Sequence, residues 1–158
     1  METLTTLERA IRLQKVELFS ELATSMLALL ASIASQVEVK RGEVLVEQNH
    51  ALSTLYVVLN GSIEMSRSGR TMFRVGADET IGNWALFDEQ PSVVTATALE
   101  DTSLLRIDRE DFFDLLADHS EATREMFQAL FKRVRSLLTK GLGTSGLTTP
   151  PPPEPGSP

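Results

Sequence analysis

The sequence predicts a mainly β domain in which a small antiparallel barrel lies between helical segments. Near both ends of the chain, apolar residues recur at spacings of three and four, which is typical of amphipathic helices. From Gln36 to Ile107 they alternate with polar residues instead, in short runs. Tight turns at Asn60-Gly61, Ser68-Gly69 and Gly76 separate these runs. Short strands joined by such turns favour a closed or sandwiched antiparallel sheet.

Residues 1–35 form the predicted N-terminal helical segment. The stretch VELFSEL interrupts its periodicity, and Ser20 or Thr24 is a candidate cap for the turn that follows. The apolar residues at helical spacings are Leu4, Leu7, Ile11, Met26 and Leu30.

Residues 108–140 are predicted to form two C-terminal helices, with Asp108 and Ser120 as their N-caps. On a helical wheel, the apolar residues of the second helix, within 121–139, cover an arc of about 140°, whereas one packing face needs roughly 100°. We therefore expect the barrel on one side of this helix and a partner subunit, another domain or the first helix on the other. The apolar residues are Met126, Phe127, Leu130, Phe131, Val134, Leu137 and Leu138.

The last segment, residues 141–158, contains six of the seven prolines and a single charged residue, Glu154. A segment of this composition buries too little apolar surface to offset the entropy lost on ordering, so we predict a disordered or polyproline-type tail. A ligand for a proline-binding module is the alternative.

The bulk composition limits the possible functions. A chain of 158 residues with 42% hydrophobic residues suffices for one domain. Its net charge of −7 argues against direct binding of nucleic acid. No run of eighteen apolar residues is present, so we expect no membrane span. The absence of cysteine removes disulfides and thiolate chemistry and suits the cytoplasm.

Catalytic and metal sites find little support in the sequence. His50 and His119 are the two histidines, and they cannot supply a three-ligand metal site alone. Neither lies in a segment expected to reach a nucleophile. We therefore predict no enzymatic activity and no metal site.

The order of elements resembles the cyclic-nucleotide-binding domain family, which includes the bacterial catabolite activator and the regulatory subunit of protein kinase A. The resemblance runs from about Leu7 to Leu138, and its carriers are VELFSEL, RGEVLVEQ, LYVVLNGSIEM, the stretch from Val75 to Leu116 and the closing helix. It implies a double-stranded β-helix, or jelly-roll-like, barrel over residues 36–107. It also implies that residues 81–98 are the phosphate-binding cassette of the family.

The cassette departs from the family pattern at the two polar positions that bind the ribose and the phosphate in the family. Asn83 stands where the family has a glutamate for the ribose, and Ser92 stands where it has an arginine for the phosphate. Residues that match the pattern are Gly82, Ala85, Leu86, Pro91, Thr95 and Ala98. If a ligand binds, the resemblance implies that it contacts Gly82, Asn83, Trp84, Ala85, Ser92, Val93 and Thr95.

The charge around the cassette also disfavours an anion. Between Arg74 and Arg106 the chain has six acidic residues and no basic residue, a formal charge of −6. Replacement cations would have to come from outside this stretch, and Arg67, Arg70 and Arg74 on the neighbouring hairpin are the candidates.

Two further residues near the pocket allow several interpretations. Trp84 could fill the nucleotide cavity, pack in the core or serve as an interface anchor. Asn49 precedes His50 where the family usually has a Gly–Asp turn, and asparagine tolerates the left-handed conformation that such a turn requires.

The sequence thus predicts a non-catalytic regulatory or interaction module that has no cofactor and cannot hold cAMP or cGMP tightly. The expected partners are proteins or other domains, including a second copy that contacts the helix 121–139. The alternative is a working sensor that binds a cyclic mononucleotide weakly, or another small ligand, in the cassette.

Overall fold

The computed structural model describes residues 2–142, apart from the side chains of Trp84, Ala85 and Leu142. The predicted tail therefore lies outside the described residues from position 143 onward. The helices are α1 (Thr6–Gln14), a 3-10 helix (Glu17–Phe19), α2 (Thr24–Ile33), α3 (Asn83–Phe87), α4 (Arg109–Asp118) and α5 (Ser120–Leu142). The strands are β1 (Ser35–Val39), β2 (Val44–Val46), β3 (Thr54–Asn60), β4 (Ile63–Arg67), β5 (Arg70–Val75), β6 (Thr80–Ile81), β7 (Thr95–Ala98) and β8 (Thr102–Asp108).

The strands form two four-stranded antiparallel sheets, in the orders β1-β8-β3-β6 and β2-β7-β4-β5. The prediction of a mainly β domain with flanking helices is confirmed, but the sheets do not close into a barrel. Within residues 2–142, no strand of one sheet pairs with a strand of the other. Each sheet has one very short edge strand, β6 with two residues and β2 with three.

The first sheet is buried on both faces. Along β3, Leu55, Val57 and Leu59 pack with the helices, whereas Val58 packs against the second sheet. This alternation follows from the two-residue period of a strand. Each fully buried side chain of this size contributes roughly 1.5–3 kcal/mol. The molecule therefore has three layers, the helices, the first sheet and the second sheet, and the last has an outer face that meets solvent.

Helix α1 uses a different face from the one that its spacing predicted. Leu7 and Ile11 are 69% and 50% exposed, whereas Leu13 is fully buried. Polar contacts fix this rotation, since the guanidinium of Arg12 donates a 2.6 Å hydrogen bond to the carbonyl oxygen of Leu59. The burial of Leu13 and Ala10 on the same side of the helix favours this rotation as well.

The predicted side-chain caps are not formed as expected. Asp108 occupies the N-cap position of α4 but does not cap it, and its carboxylate instead accepts a 3.0 Å hydrogen bond from Arg106. This contact raises the pKa of the Arg106 guanidinium. Neither Ser20 nor Thr24 caps α2, whose N-cap position is held by Ala23.

Helix α5 packs chiefly on the 3-10 helix and α4. Its residues Ala122 and Met126 also share one apolar core with Leu55 of the first sheet, in line with the expected contact. Ala122, Met126 and Ala129 form its buried face. Ion pairs of 2.6 Å and 3.2 Å join Lys132 and Arg133 to acidic residues of the N-terminal segment and hold α5 there. Six apolar residues that we call the α5 stripe remain 43–68% exposed: Phe127, Leu130, Phe131, Val134, Leu137 and Leu138.

Element boundaries differ from the predicted ones by one or two residues. Strand β1 begins at Ser35, and α5 continues to Leu142, past the expected end at residue 140. Across residues 2–142, the search for a helix with the length and apolar character of a membrane span found none.

Candidate functional site

An open groove of about 590 Å³ lies between the edge strands of the two sheets, beside the start of α3. Its volume falls in the range of roughly 300–1,000 Å³ that is usual for small-molecule sites. The groove is lined by Lys15, Val16, Glu17, Leu18, Ser20, Phe73, Val75, Asp78, Glu79, Thr80 and Asn83.

Gly82 allows β6 to turn into α3 at the end of this groove. Its φ of +93° lies in the region that side-chain-bearing residues rarely adopt. A Cβ atom here would overlap the carbonyl oxygen of Thr54 and lie 3.1 Å from Cδ2 of Leu52. Glycine is therefore required for the cassette to approach β3 this closely.

Aromatic packing holds α3 in place beneath the groove. The ring centroid of Phe87 lies 6.0 Å from that of Phe112 and 6.1 Å from that of Phe113, both on α4. Phe112 also lies 6.3 Å from Phe19 of the 3-10 helix, which itself contacts α5. A continuous row of aromatic rings thus connects α3, the helix of the cassette, with the 3-10 helix, which contacts α5.

The side chain of Ser92 makes hydrogen bonds only within its own loop. Its hydroxyl donates a 2.6 Å hydrogen bond to the carbonyl oxygen of Val94, and it accepts one of 3.3 Å from the Val94 N–H. Its backbone pairs with the neighbouring turn, at 2.8 Å to His50 and 2.7 Å to Asn49. Asn49 has a φ of +70°, which confirms the predicted left-handed turn. The position where the family has arginine therefore supplies no charge, and its hydroxyl hydrogen is already engaged.

The other predicted contacts are scattered. The hydroxyl oxygen of Thr95 accepts a 2.9 Å hydrogen bond from the Gln48 N–H, and the side chain of Val93 is 66% exposed. Neither residue lines the groove, and among the predicted contacts whose side chains the structure describes, only Asn83 does. The interpretations of the Trp84 and Ala85 side chains fall outside the described residues. The loop 88–94 lies against the turn 48–50 because of these hydrogen bonds, so its polar atoms do not reach the groove.

The groove has an acidic lining, with one cation, Lys15, and three anions, Glu17, Asp78 and Glu79, a formal charge of −2. Two guanidinium groups outside the lining pair with it. Nε of Arg12 lies 3.0 Å from Oδ1 of Asp78, and Nη1 of Arg133 lies 3.2 Å from Oε1 of Glu17. These two cations come from α1 and α5, far from the cassette in sequence.

Arg109 is the cation that contacts the cassette loop, and sequence reasoning missed it. Its Nη1 lies 3.5 Å from Oε1 of Glu89, and its Nη2 donates a 3.1 Å hydrogen bond to the carbonyl oxygen of Leu52. No residue type or spacing marked Arg109, which only the packing of α4 brings there. The hairpin arginines at 67, 70 and 74 are exposed, and none is among the residues that line the groove.

The histidines make local contacts only. Nδ1 of His50 lies 3.2 Å from the carbonyl oxygen of Gln48, and Nδ1 of His119 lies 3.5 Å from Glu121. Within the part of the chain that the structure describes, no three His, Asp or Glu side chains are grouped to hold a metal.

The fold and the cassette together identify the family. The family model described as "Cyclic nucleotide-binding domain" matches residues 36–119, more than half of the chain. The chain belongs to the cyclic nucleotide-binding domain family. The match includes both sheets, the cassette and α4.

Similar proteins that contain a cyclic nucleotide-binding domain include regulators. A CRP-like cAMP-activated global transcriptional regulator of Mycobacterium tuberculosis is 23% identical over 128 residues, which are 78% of this chain and 57% of that protein. A cAMP-dependent protein kinase regulatory subunit of Blastocladiella emersonii is 29% identical over 63% of this chain and 26% of that protein. The chain thus spans little more than half of the first of these relatives.

A solved structure of the N-terminal domain of a transcriptional regulator from Streptomyces coelicolor A3(2) superposes with a TM-score of 0.75. It is 28% identical in sequence, and the superposition covers 87% of this chain and 99% of that one. The match supports the jelly-roll arrangement of the two sheets.

Proposed function

We propose that the domain is a non-catalytic regulatory module that does not hold cAMP or cGMP tightly. One observation carries this proposal: Ser92, at the position to which the resemblance assigns an arginine, donates its hydroxyl hydrogen to the carbonyl oxygen of Val94. Truncating one partner of a charge-assisted contact typically costs about 2–5 kcal/mol. That cost corresponds to about a 30-fold to 5,000-fold loss of affinity.

Asn83 is expected to cause a smaller loss of affinity for a cyclic nucleotide. As a neutral amide it can hydrogen-bond a ribose hydroxyl, but it forfeits roughly half the strength of the bond that a carboxylate makes. Lys15 lines the groove and brings a positive charge, yet an ammonium lacks the planar fork with which arginine holds two phosphate oxygens.

The proposed mechanism is mechanical. What occupies the groove biases the position of α3, and the row of rings from Phe87 through Phe112 to Phe19 passes this bias to α5. The output is the contact of α5 with a protein partner, another domain or a second copy, in the cytoplasm. Direct binding to nucleic acid is disfavoured by the net charge of −7.

Thermal melting tests the nucleotide part of the proposal. With cAMP or cGMP at millimolar concentration, we expect the melting temperature of the full chain to stay unchanged. A ligand present at a hundred times its dissociation constant would add about 2.7 kcal/mol and raise the melting temperature by several degrees. A rise of that size with a cyclic nucleotide, but not with equal salt, contradicts the proposal.

A sensor of an uncharged aromatic ligand is the second candidate. It is favoured by the acidic lining of the groove, which disfavours a phosphate, and by the 54% exposed ring of Phe73 and the amide of Asn83. Aromatic rings offer a stacking surface that every base can use. In the same melting experiment, adenosine and guanosine are the probes, and a rise with either one selects this candidate.

Self-association through α5 is a separate part of the proposal. The α5 stripe presents a row of apolar residues at spacings of three and four, which suits pairing with a second helix. We expect the full chain to sediment partly as a dimer at micromolar concentration. Phe131→Glu places a charge on the stripe and should return it to a monomer, whereas Thr139→Glu, outside the stripe, should not. A chain that is monomeric throughout contradicts this part.

A further inference from the structure

The α5 stripe has room for an extended segment beside it. The rings of Phe127 and Phe131 are stacked, with centroids 6.5 Å apart and planes 30° apart. Next to Phe131 runs a groove of about 430 Å³. Its other lining residues are Glu21, Gln128, Lys132 and Arg135. An apolar patch with a polar rim of this kind marks a binding surface.

We infer that residues 143–158 of the same chain fold back and dock on the α5 stripe. The chain leaves α5 at Leu142, directly at the end of the stripe, and sixteen residues follow. Six of these sixteen are prolines, four of them consecutive at 150–153. Proline-rich segments dock on aromatic-lined grooves, because their extended helix is already formed and loses little entropy.

The reach of the chain fits this arrangement. Residues 143–149 span at most about 24 Å, and Phe131 lies about 17 Å from Leu142 along the helix axis. Pro150 can therefore lie anywhere along the stripe.

The register of the prolines fits the groove as well. With Pro150 beside Leu138, a polyproline helix places Glu154 about 12 Å further along. Lys132 lies about 9 Å from Leu138 in the same direction. The prolines then cover the stripe from Leu138 to Phe131.

Charge complementarity favours the same register. Glu154 is the one charged residue among 143–158, and the groove beside Phe131 is rimmed by Lys132 and Arg135. Lys132 is already paired with Glu21 at 2.6 Å, whereas Arg135 has no ion pair among the described residues. In the register above, Glu154 lies nearest to Lys132, which it would share with Glu21, and Arg135 lies about 8 Å closer than Glu154 to the Leu138 end.

The tail competes with a second copy for the same surface. A segment joined by a short connector acts at an effective concentration of the order of millimolar, far above a second copy at micromolar concentration. The tail therefore weakens the self-association proposed above and makes it depend on release of the tail. The docking itself holds whether or not the chain dimerises or binds a nucleotide.

A spin label on the tail tests the docking directly in the full chain. The chain has no cysteine, so Ser157→Cys gives a single labelling site. In nuclear magnetic resonance spectra, we expect the amide signals of residues 127–138 to lose intensity with the oxidised nitroxide and to regain it after reduction. Mixing spin-labelled chain with unlabelled, isotope-enriched chain should leave the enriched signals intact, because the contact lies within one molecule.

Two variants serve as matched controls. Replacing the prolines at 150–153 with serine keeps length and charge and should sharply reduce the signal loss at residues 127–131, as should Phe131→Glu, because an undocked tail stays nearer to Leu142. Removal of the four prolines should also shift sedimentation toward the dimer. Unchanged signals on α5, equal loss in the proline variant, or loss only in the mixed sample would each overturn the inference. The first two results leave the proposed dimer standing, so the two failures are distinguishable.

Discussion

A chain that carries both Ser92→Arg and Asn83→Glu is expected to bind cAMP about 30-fold to 5,000-fold more tightly than the natural sequence. The arginine supplies the charged, two-pronged donor that phosphate oxygens match, and the glutamate restores a charged acceptor for the ribose. Ser92 contributes nothing comparable, since its hydroxyl is engaged with Val94. Isothermal titration calorimetry with both chains measures the difference.

The matched control carries Ser92→Gln with Asn83→Glu. It loses the same hydrogen bond to Val94 and gains a side chain of similar length, but no charge. It should gain only the smaller contribution of the glutamate and bind cAMP far more weakly than the arginine variant. If the arginine variant melts normally and still fails to bind, charge is not what prevents binding, and the shape of the pocket is responsible.

Phe112→Ala is expected to lower the free energy of unfolding by about 3–5 kcal/mol. Phe112 is 1% exposed and touches three other rings, those of Phe19, Phe87 and Phe113. Its removal leaves a cavity where the cassette helix, α4 and the 3-10 helix meet, and the surrounding backbone cannot collapse fully into it. Urea denaturation of the two chains gives the difference.

Phe113→Ala is the control for this prediction. Phe113 lies beside Phe112 and contacts Phe87, but it is 41% exposed, so its loss should cost less than about 2 kcal/mol. Equal costs for the two substitutions would mean that the row of rings does not converge on Phe112. The link from cassette to α5 would then need another route.

The sequence predicted the fold in its main features because local signals agree with the global arrangement. The change of period at Gln36 and Ile107 marks the limits of the sheets, and the turn at Asn49 adopts the expected left-handed conformation. Closure of the sheets depends on how far the edge strands extend. The pattern around Thr80 does not reveal that β6 has only two residues.

The candidate site was predictable only where its residues follow one another. Asn83 lies in the groove, but Lys15 reaches the groove and Arg109 reaches the cassette loop from segments with no motif of their own. The ion pairs of the groove's acidic residues could not be obtained from neighbours in sequence, because Arg12 on α1 and Arg133 on α5 supply the cations. The same holds for Leu7 and Ile11, whose exposure depends on how Arg12 anchors α1.

The two sheets differ in how much a substitution lowers the thermodynamic stability. The first sheet lies between the helices and the second sheet, so almost any change there disturbs close packing. Strand β5, by contrast, is exposed at five of its six residues and forms the rim of the groove. Recognition can therefore diverge along this rim while thermodynamic stability stays nearly constant, which gives one scaffold the freedom to acquire new ligands.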